Sequence, residues 1–323
     1  MDIVIADAAG APVFQTGDHV LDMAYGDDEN DFELSGLPHA MARGWRWWFD
    51  GTAWGGIVDT VCPASSGGVS SLSYKGRSVQ GLMAAKVVEP DAGKSHLVVS
   101  GDANAVLGEL IGRCSLDGWL RADTAESGVA IDRYRFHRYI DLYNGIRMML
   151  AASGARLRIV FRDGAPVLSA VERGVYGSLP SETVDFSAER TYRPVNHLIG
   201  LGKGEGAARE VSHWYADASG SVSQKQTLTG LDEVAESYDL SNESDDLPGK
   251  TRDKLAEYQG QGSFDVSLPE GAGLDVGDVV TASDASSGIS VEAEVVKVIV
   301  KSDNGQVAVE HETGSPAWPD EEA

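Results

Sequence analysis

Val195-Asn196-His197-Leu198-Ile199-Gly200-Leu201-Gly202-Lys203-Gly204-Glu205-Gly206-Ala207-Ala208-Arg209-Glu210 is the stretch whose reading decides the fold. Val195–Ile199 is mostly apolar, and Gly200, Gly202 and Gly204 stand at alternate positions. Successive side chains of an extended segment point to opposite faces, so alternate glycines strip one face bare. Backbone or another subunit can approach closely there. Leu201 and Lys203 keep the other face in use. Val211-Ser212-His213-Trp214-Tyr215 follows as a strand, and Asp217-Ala218-Ser219-Gly220 as a turn. A dinucleotide fingerprint competes, because Gly202, Gly204 and Ala207 loosely fit one. It lacks a surrounding βαβ unit and a convincing helix after the last glycine. It also lacks the Lys followed by Ser or Thr of a phosphate-cradling loop, so a structural turn or bulge is the better reading.

Downstream, residues 229–261 show helical spacing. Leu231, Val234, Ala235 and Tyr238 share one helical face, and Leu247, Thr251, Leu255 and Tyr258 share another. Pro248 suits a first turn, where its missing N–H costs little. Two short amphipathic helices must lie against a β domain or a neighbour. Residues 263–312 alternate as strands, starting with Ser263-Phe264-Asp265-Val266-Ser267-Leu268, and Gly277-Asp278-Val279-Val280 opens another. Val291, Ala293 and Val295 alternate, then the phase slips to Val296, Val298 and Val300. A one-residue slip predicts a bulge that bends the strand, as a small barrel requires. Asn304-Gly305 then turns the chain.

Upstream, residues 2–98 read as β structure. Gly44–Phe49, Asp50-Gly51 and Thr52–Val58 predict a hairpin, since glycine accepts the positive φ of a tight turn. Trp45, Trp47, Trp48 and Trp54 crowd this hairpin. They suit core and subunit interface better than a stacking platform for sugars or bases. Ser65–Ser71 is expected to be a flexible loop. Asp27–Asp31 is expected to be a solvated acidic loop, since it lacks the spacing of a calcium loop. Residues 99–178 change period. Asp102 predicts the cap of a helix with Val106, Leu107, Leu110 and Ile111 inside. A second helix is expected at about 138–152, ended by Gly154. Asp163-Gly164 predicts another hairpin.

The chain has 323 residues with 26 basic and 50 acidic side chains, a formal charge of −24. That argues against tight binding to a nucleic-acid backbone or an anionic membrane. Cys62 and Cys114 are too few and too far apart for a disulfide framework or a cysteine metal site, so they predict buried thiols in a reducing compartment. The acidic start resembles no signal peptide, and no apolar run reaches about 18 residues. The seven histidines (His19, His39, His96, His137, His197, His213, His311) form no i, i+2 or i, i+4 pair. His197 and His213 flank the glycine run and can converge in space, but separate core or surface positions are the simpler expectation. No Gly-x-Ser-x-Gly elbow occurs. Glu205 and Glu210 are possible acids, yet fifty carboxylates make chance pairs inevitable. No catalytic, cofactor-binding or metal residue is therefore assigned, and no cofactor.

The order of pieces carries a resemblance. V-N-H-L-I-G-L-G-K-G-E-G-A-A-R-E-V (195–211), W-Y-A-D-A-S-G-S-V (214–222) and G-L-D-E-V-A-E-S-Y-D (230–239) resemble the hub proteins at the distal tail end of long-tailed bacteriophages. Tyr74–Ser78, Asp102–Leu107 and Gly277–Val280 fall in the expected order. The resemblance implies an α+β, mainly β fold with two tube-like small β-barrel domains. One spans 1–98, and the other is split between 179–228 and 263–314. It implies an α+β insert at 99–178 and a helical insert at 229–262; the acidic, proline-containing composition of 315–323 is expected to make a disordered tail. It further implies a homotrimer of pseudo-sixfold symmetry in the virion, at the tail tip or baseplate, assembled in the host cytoplasm. Such a ring joins tail-tube proteins to tip and receptor-binding proteins, and DNA passes its lumen without specific binding. The acidic charge either lines that channel or covers the outside. No enzyme activity and no membrane insertion are expected. The alternatives are a cell-wall-polymer hydrolase using carboxylates and a carbohydrate-binding module built on the Trp45–Trp54 hairpin.

Overall fold

The computed structural model describes all residues except 178–184, 192–193, 242–245, 260–261, 268–272, 285–288, 304 and 316–323. The expected acidic tail lies almost wholly outside the described residues, as does Asn304 of the last turn. The chain divides into two compact units, the first Met1–Val184 with Leu268–Ala282 and Glu292–Gly314, the second mainly Asp185–Ser267.

The first unit opens with β1 (Ile3–Ala6), β2 (Pro12–Thr16), β3 (Val20–Gly26), β4 (Asn30–Ser35), β5 (Arg46–Trp48), β6 (Gly55–Ser66), β7 (Val69–Ser78) and α1 (Val79–Ala84). It continues with β8 (Val98–Asp102), α2 (Ala103–Arg113), β9 (Arg121–Ala122), β10 (Ala130–Arg135), α3 (Leu142–Ala151), β11 (Ala155–Arg162), β12 (Ala165–Glu172) and β13 (Val175–Tyr176). The second unit holds β14 (Asp185–Arg190), β15 (His197–Leu201), β16 (Val211–Ala216), β17 (Val222–Ser223), β18 (Ala235–Asp239), α4 (Leu247–Gln259) and β19 (Gly262–Ser267). The chain then supplies β20 (Val279–Asp284), β21 (Ile289–Asp303) and β22 (Gln306–Thr313).

One eleven-stranded sheet dominates the first unit, in the order β13-β20-β21-β3-β4-β7-β6-β5-β1-β2, with β22 added on β21. The central strands bury one face. Val300, Met23, Phe32, Gly76 and Val58 stand opposite one another across five strands, and the four with side chains are buried. Lys301, Asp22, Glu33 and Lys75 form the neighbouring row on the solvent face, where Lys75 pairs with Glu33 at 3.0 Å. The mainly β class holds, but no sheet of the described residues closes into a barrel. Closure needs first and last strands to meet, and β2 and β13 do not pair.

The predicted slip in β21 is a bulge. Its register against β22 shifts between Val295 and Lys297. The bend serves a different purpose from the one expected, because β21 pairs with β3 rather than rejoining the 179–228 segment. The separate insert at 99–178 is likewise absorbed. Leu107, Ile146 and Phe161 share one core with Val79, Met83 and Trp48. Alternation shows which face of an element is apolar, not which partner covers it.

Local signals fared well here. Asp102 caps α2 by accepting the Asn104 N–H at 2.9 Å, and Asp141 caps α3 through Asn144 at 2.9 Å. That second cap shortens the expected 138–152 helix to Leu142–Ala151, leaving Tyr139 outside at φ 58°. Asp163 and Gly164 have φ 51° and 73° and join β11 to β12 as predicted.

His19 is fully buried, with Nε2 at 2.8 Å from the Ser302 hydroxyl. Burial holds its pKa below the ordinary 6.5, because the desolvated ring resists charge. The unfolded chain then binds more protons than the folded one. His19 therefore costs no stability above the ordinary value, and stability is lost as pH falls through it. A His19→Gln chain should lose less stability than the parent between about pH 7 and about pH 5 in urea titrations. Equal losses in both chains would contradict this.

Candidate functional site

The start of the glycine run, through Gly200, is strand β15, and a helix lies on its bare face and over Gly202 just beyond it. β15 pairs antiparallel with β16 and parallel with β18. A Cβ on Gly200 would sit 1.9 Å from Thr251 Oγ1, and one on Gly202 would sit 2.9 Å from Leu247 Cδ2. Both contacts come from α4, whose Leu247, Thr251 and Leu255 are buried as the sequence predicts. The close approach is thus made by the chain's own helix, which corrects the alternative of a subunit contact at this face. Leu198, Ala216 and Leu255 form the small core beneath it.

The first helix expected at 229 is not one. Gly230–Asp232 makes a single 3₁₀ turn, and Ala235–Asp239 is β18. Asn196 explains the change. Its Oδ1 accepts the Val234 N–H at 3.0 Å, and its Nδ2 donates to the Asp232 carbonyl at 2.7 Å. Backbone N–H groups of Asn196 and His197 both reach the Val234 carbonyl. These bonds hold the segment extended beside β15.

The opposite face of β15 and β16 brings His197 and His213 together. His197 Nδ1 lies 2.6 Å from Glu233 Oε1, so Nδ1 carries the proton and donates. Its Nε2 lies 2.9 Å from His213 Nδ1, within hydrogen-bond reach. Tyr215 stacks on His197 with ring centroids 4.4 Å apart. The simpler expectation of separate histidines is overturned. The signal was present, because antiparallel pairing of His197 with Tyr215 and Ile199 with His213 puts both imidazoles on one face. Among the described residues no group of three metal-type ligands gathers. Glu205 and Glu210 stay exposed on the loop and its end.

The middle of the tryptophan hairpin is core, while Trp45 and Trp54 are half-buried. Trp47 and Trp48 are buried, Trp47 against Phe32 and Phe49, Trp48 stacked on Phe161. A glycan platform on Trp47 is excluded by that burial. Another buried constellation escaped the sequence reading. Asp278 accepts hydrogen bonds from Arg156 Nε at 2.5 Å and from the N–H groups of Gly174 and Asp275 at 2.6 Å and 2.9 Å. Burial raises the carboxyl pKa of neighbouring Asp275. This cluster ties the 275–278 segment to β11.

Among the described residues, two of the open strand edges belong to the large sheet. β6 and β7 run past their neighbours. β4 covers β7 only over Ser73–Arg77, and β5 covers β6 only over Gly55–Ile57. Residues 60–66 and 69–72 therefore form a two-stranded ribbon paired with itself. Gly67 and Gly68, at φ 59° and 82°, make its tight turn, so the expected Ser65–Ser71 loop is strand, turn and strand. At the sheet's far end β2 pairs with β1 alone among the described residues.

No family model and no curated protein matches the chain. Solved structures similar to it include the tail protein from Neisseria meningitidis MC58, with TM-score 0.47 and 13% identity over 97% of this chain and 96% of that one. A prophage tail protein from Listeria monocytogenes EGD-e gives 0.44 and 11% over 93% and 90%. The 43 kDa tail protein of prophage MuSo2 from Shewanella oneidensis gives 0.46 and 11% over 97% and 98%. At such TM-scores and identities the likeness by itself carries no argument about function.

Proposed function

We propose that this chain is a structural protein of a bacteriophage tail, and within it the hub at the tail tip. In this reading three copies form a ring that joins the tail tube to tip and receptor-binding proteins. The observation that carries the reading is the ordered resemblance in sequence from Tyr74 to Val280. The open sheet supports it. A sheet with unpaired end strands is a template for another chain, and a ring of copies removes such edges. The barrel-like wall implied by the resemblance would then be completed between copies rather than within one.

The mechanism is mechanical. Each copy presents strand edges to its neighbours, and the ring they close leaves a central channel. A charge of −24 per copy repels phosphates, so DNA slides through without sticking. The function asks for no reacting group and no cofactor.

Electron microscopy of the purified chain tests this. Annular particles with a central pore are expected. Particles without a pore, or a cleared zone on a cell-wall zymogram, would turn the account toward the hydrolase alternative.

A further inference from the structure

We infer that the outer edge of β2 in one copy docks beside the outer edge of the β7 ribbon in the next, so that two different patches of the same chain form one head-to-tail interface. The inference rests on the ring reading only for the closure of the assembly.

Charge singles out these two edges. About a quarter of the chain's residues are charged, yet Thr60–Tyr74 holds fifteen residues without a charge and Ala8–Gly17 holds ten. They are the two longest such runs in the sequence, and each contains one of the open edges. Val13 is 51% exposed and Leu72 is 38% exposed. Natural proteins blunt open strand edges with charge or proline. β22 carries Glu310 and Glu312, and β18 carries Glu236 and Asp239. Pro63 interrupts β6 and Pro12 opens β2, whereas Val13–Thr16 of β2 and residues 69–72 of β7 carry neither charge nor proline. A two-stranded ribbon alone is marginal in water, so a covering partner would hold it.

The same charge argument names the occupant. Copies bearing −24 each repel one another, and they meet at least cost where neither is charged. A basic partner would choose the acidic faces instead, and a nucleic acid would be repelled. A second copy remains. Pairing β2 with β2, or ribbon with ribbon, would cover one patch and leave the other open. Pairing β2 with the ribbon covers both. Such a contact repeats from copy to copy and closes into a ring when the rotation allows.

The test uses the full chain with Cys62→Ser and Cys114→Ser. Val13→Cys is added together with Ser70→Cys or Ser71→Cys, and a short bismaleimide is applied. A ladder of covalent multimers is expected from a paired variant, and none from Val98→Cys placed elsewhere on the surface. Dimers from Val13→Cys alone, dimers from Ser71→Cys alone, or no multimers at all would overturn the inference. Separately, Ser71→Glu should weaken self-association at least tenfold with an unchanged thermal melt, and unchanged association would overturn it too. A pored ring without the cross-link sinks this interface and spares the hub. A ladder without a ring spares the interface and sinks the hub.

Discussion

Replacing Gly200 by leucine is expected to displace α4 from its sheet and to destabilise the second unit by about 3 kcal/mol. Gly200 lies in the middle of β15, and an added Cβ would fall 1.9 Å from Thr251 Oγ1 and 3.0 Å from Thr251 Cβ. Thr251 cannot swing away, because it is fully buried and its hydroxyl donates to the Leu247 carbonyl at 2.7 Å. The helix must move as a body, which uncovers Leu198 and Leu255. Urea unfolding followed by tryptophan fluorescence measures the loss. A cycle with Thr251→Ala separates crowding from a general effect, since Gly200→Ala should cost less when the hydroxyl is absent. Additive costs would contradict the contact. Gly202 should tolerate substitution better. Its added Cβ would meet the ends and side of Leu247 and Glu210, and Glu210 is exposed.

Trp47→Ala should cost about 4 kcal/mol, the largest single effect expected in the first unit. Its ring is fully buried, 4.8 Å from Phe32 and 6.1 Å from Phe49 between centroids. Gly56 leaves room for the same cluster, since a Cβ there would lie 2.7 Å from the Phe32 ring. Among the described residues the buried Nε1 of Trp47 has no hydrogen-bond partner, so packing carries its contribution. Trp47→Phe should therefore keep most of the stability. Denaturant midpoints check both variants.

How much of this was legible depends on the range of the interaction. The cap at Asp102, the Asp163-Gly164 turn and the bulge near Val296 are local, and residue type with spacing decides them, whereas the Asp141 cap was missed and the helix placed about four residues too early. The bare face at Gly200 and Gly202 was legible too, though not what fills it. β18 was misread because Leu231, Val234, Ala235 and Tyr238 do fit a helix, while the bonds that hold the segment extended come from Asn196, far back in sequence. The joining of β21 to β3 and the Arg156–Asp278 contact each span more than a hundred residues and leave no local trace. For the candidate surfaces, the uncharged runs were visible in the sequence, but only the pairing shows that they are open edges.

The assembly itself is the claim on which function rests, and sedimentation equilibrium reads it without labels or variants. The account predicts a dominant species with the mass of three 34.2 kDa chains, giving way to single chains on dilution or when Ser71→Glu is introduced. A single species at the mass of one chain, at every concentration up to the solubility limit, would contradict it.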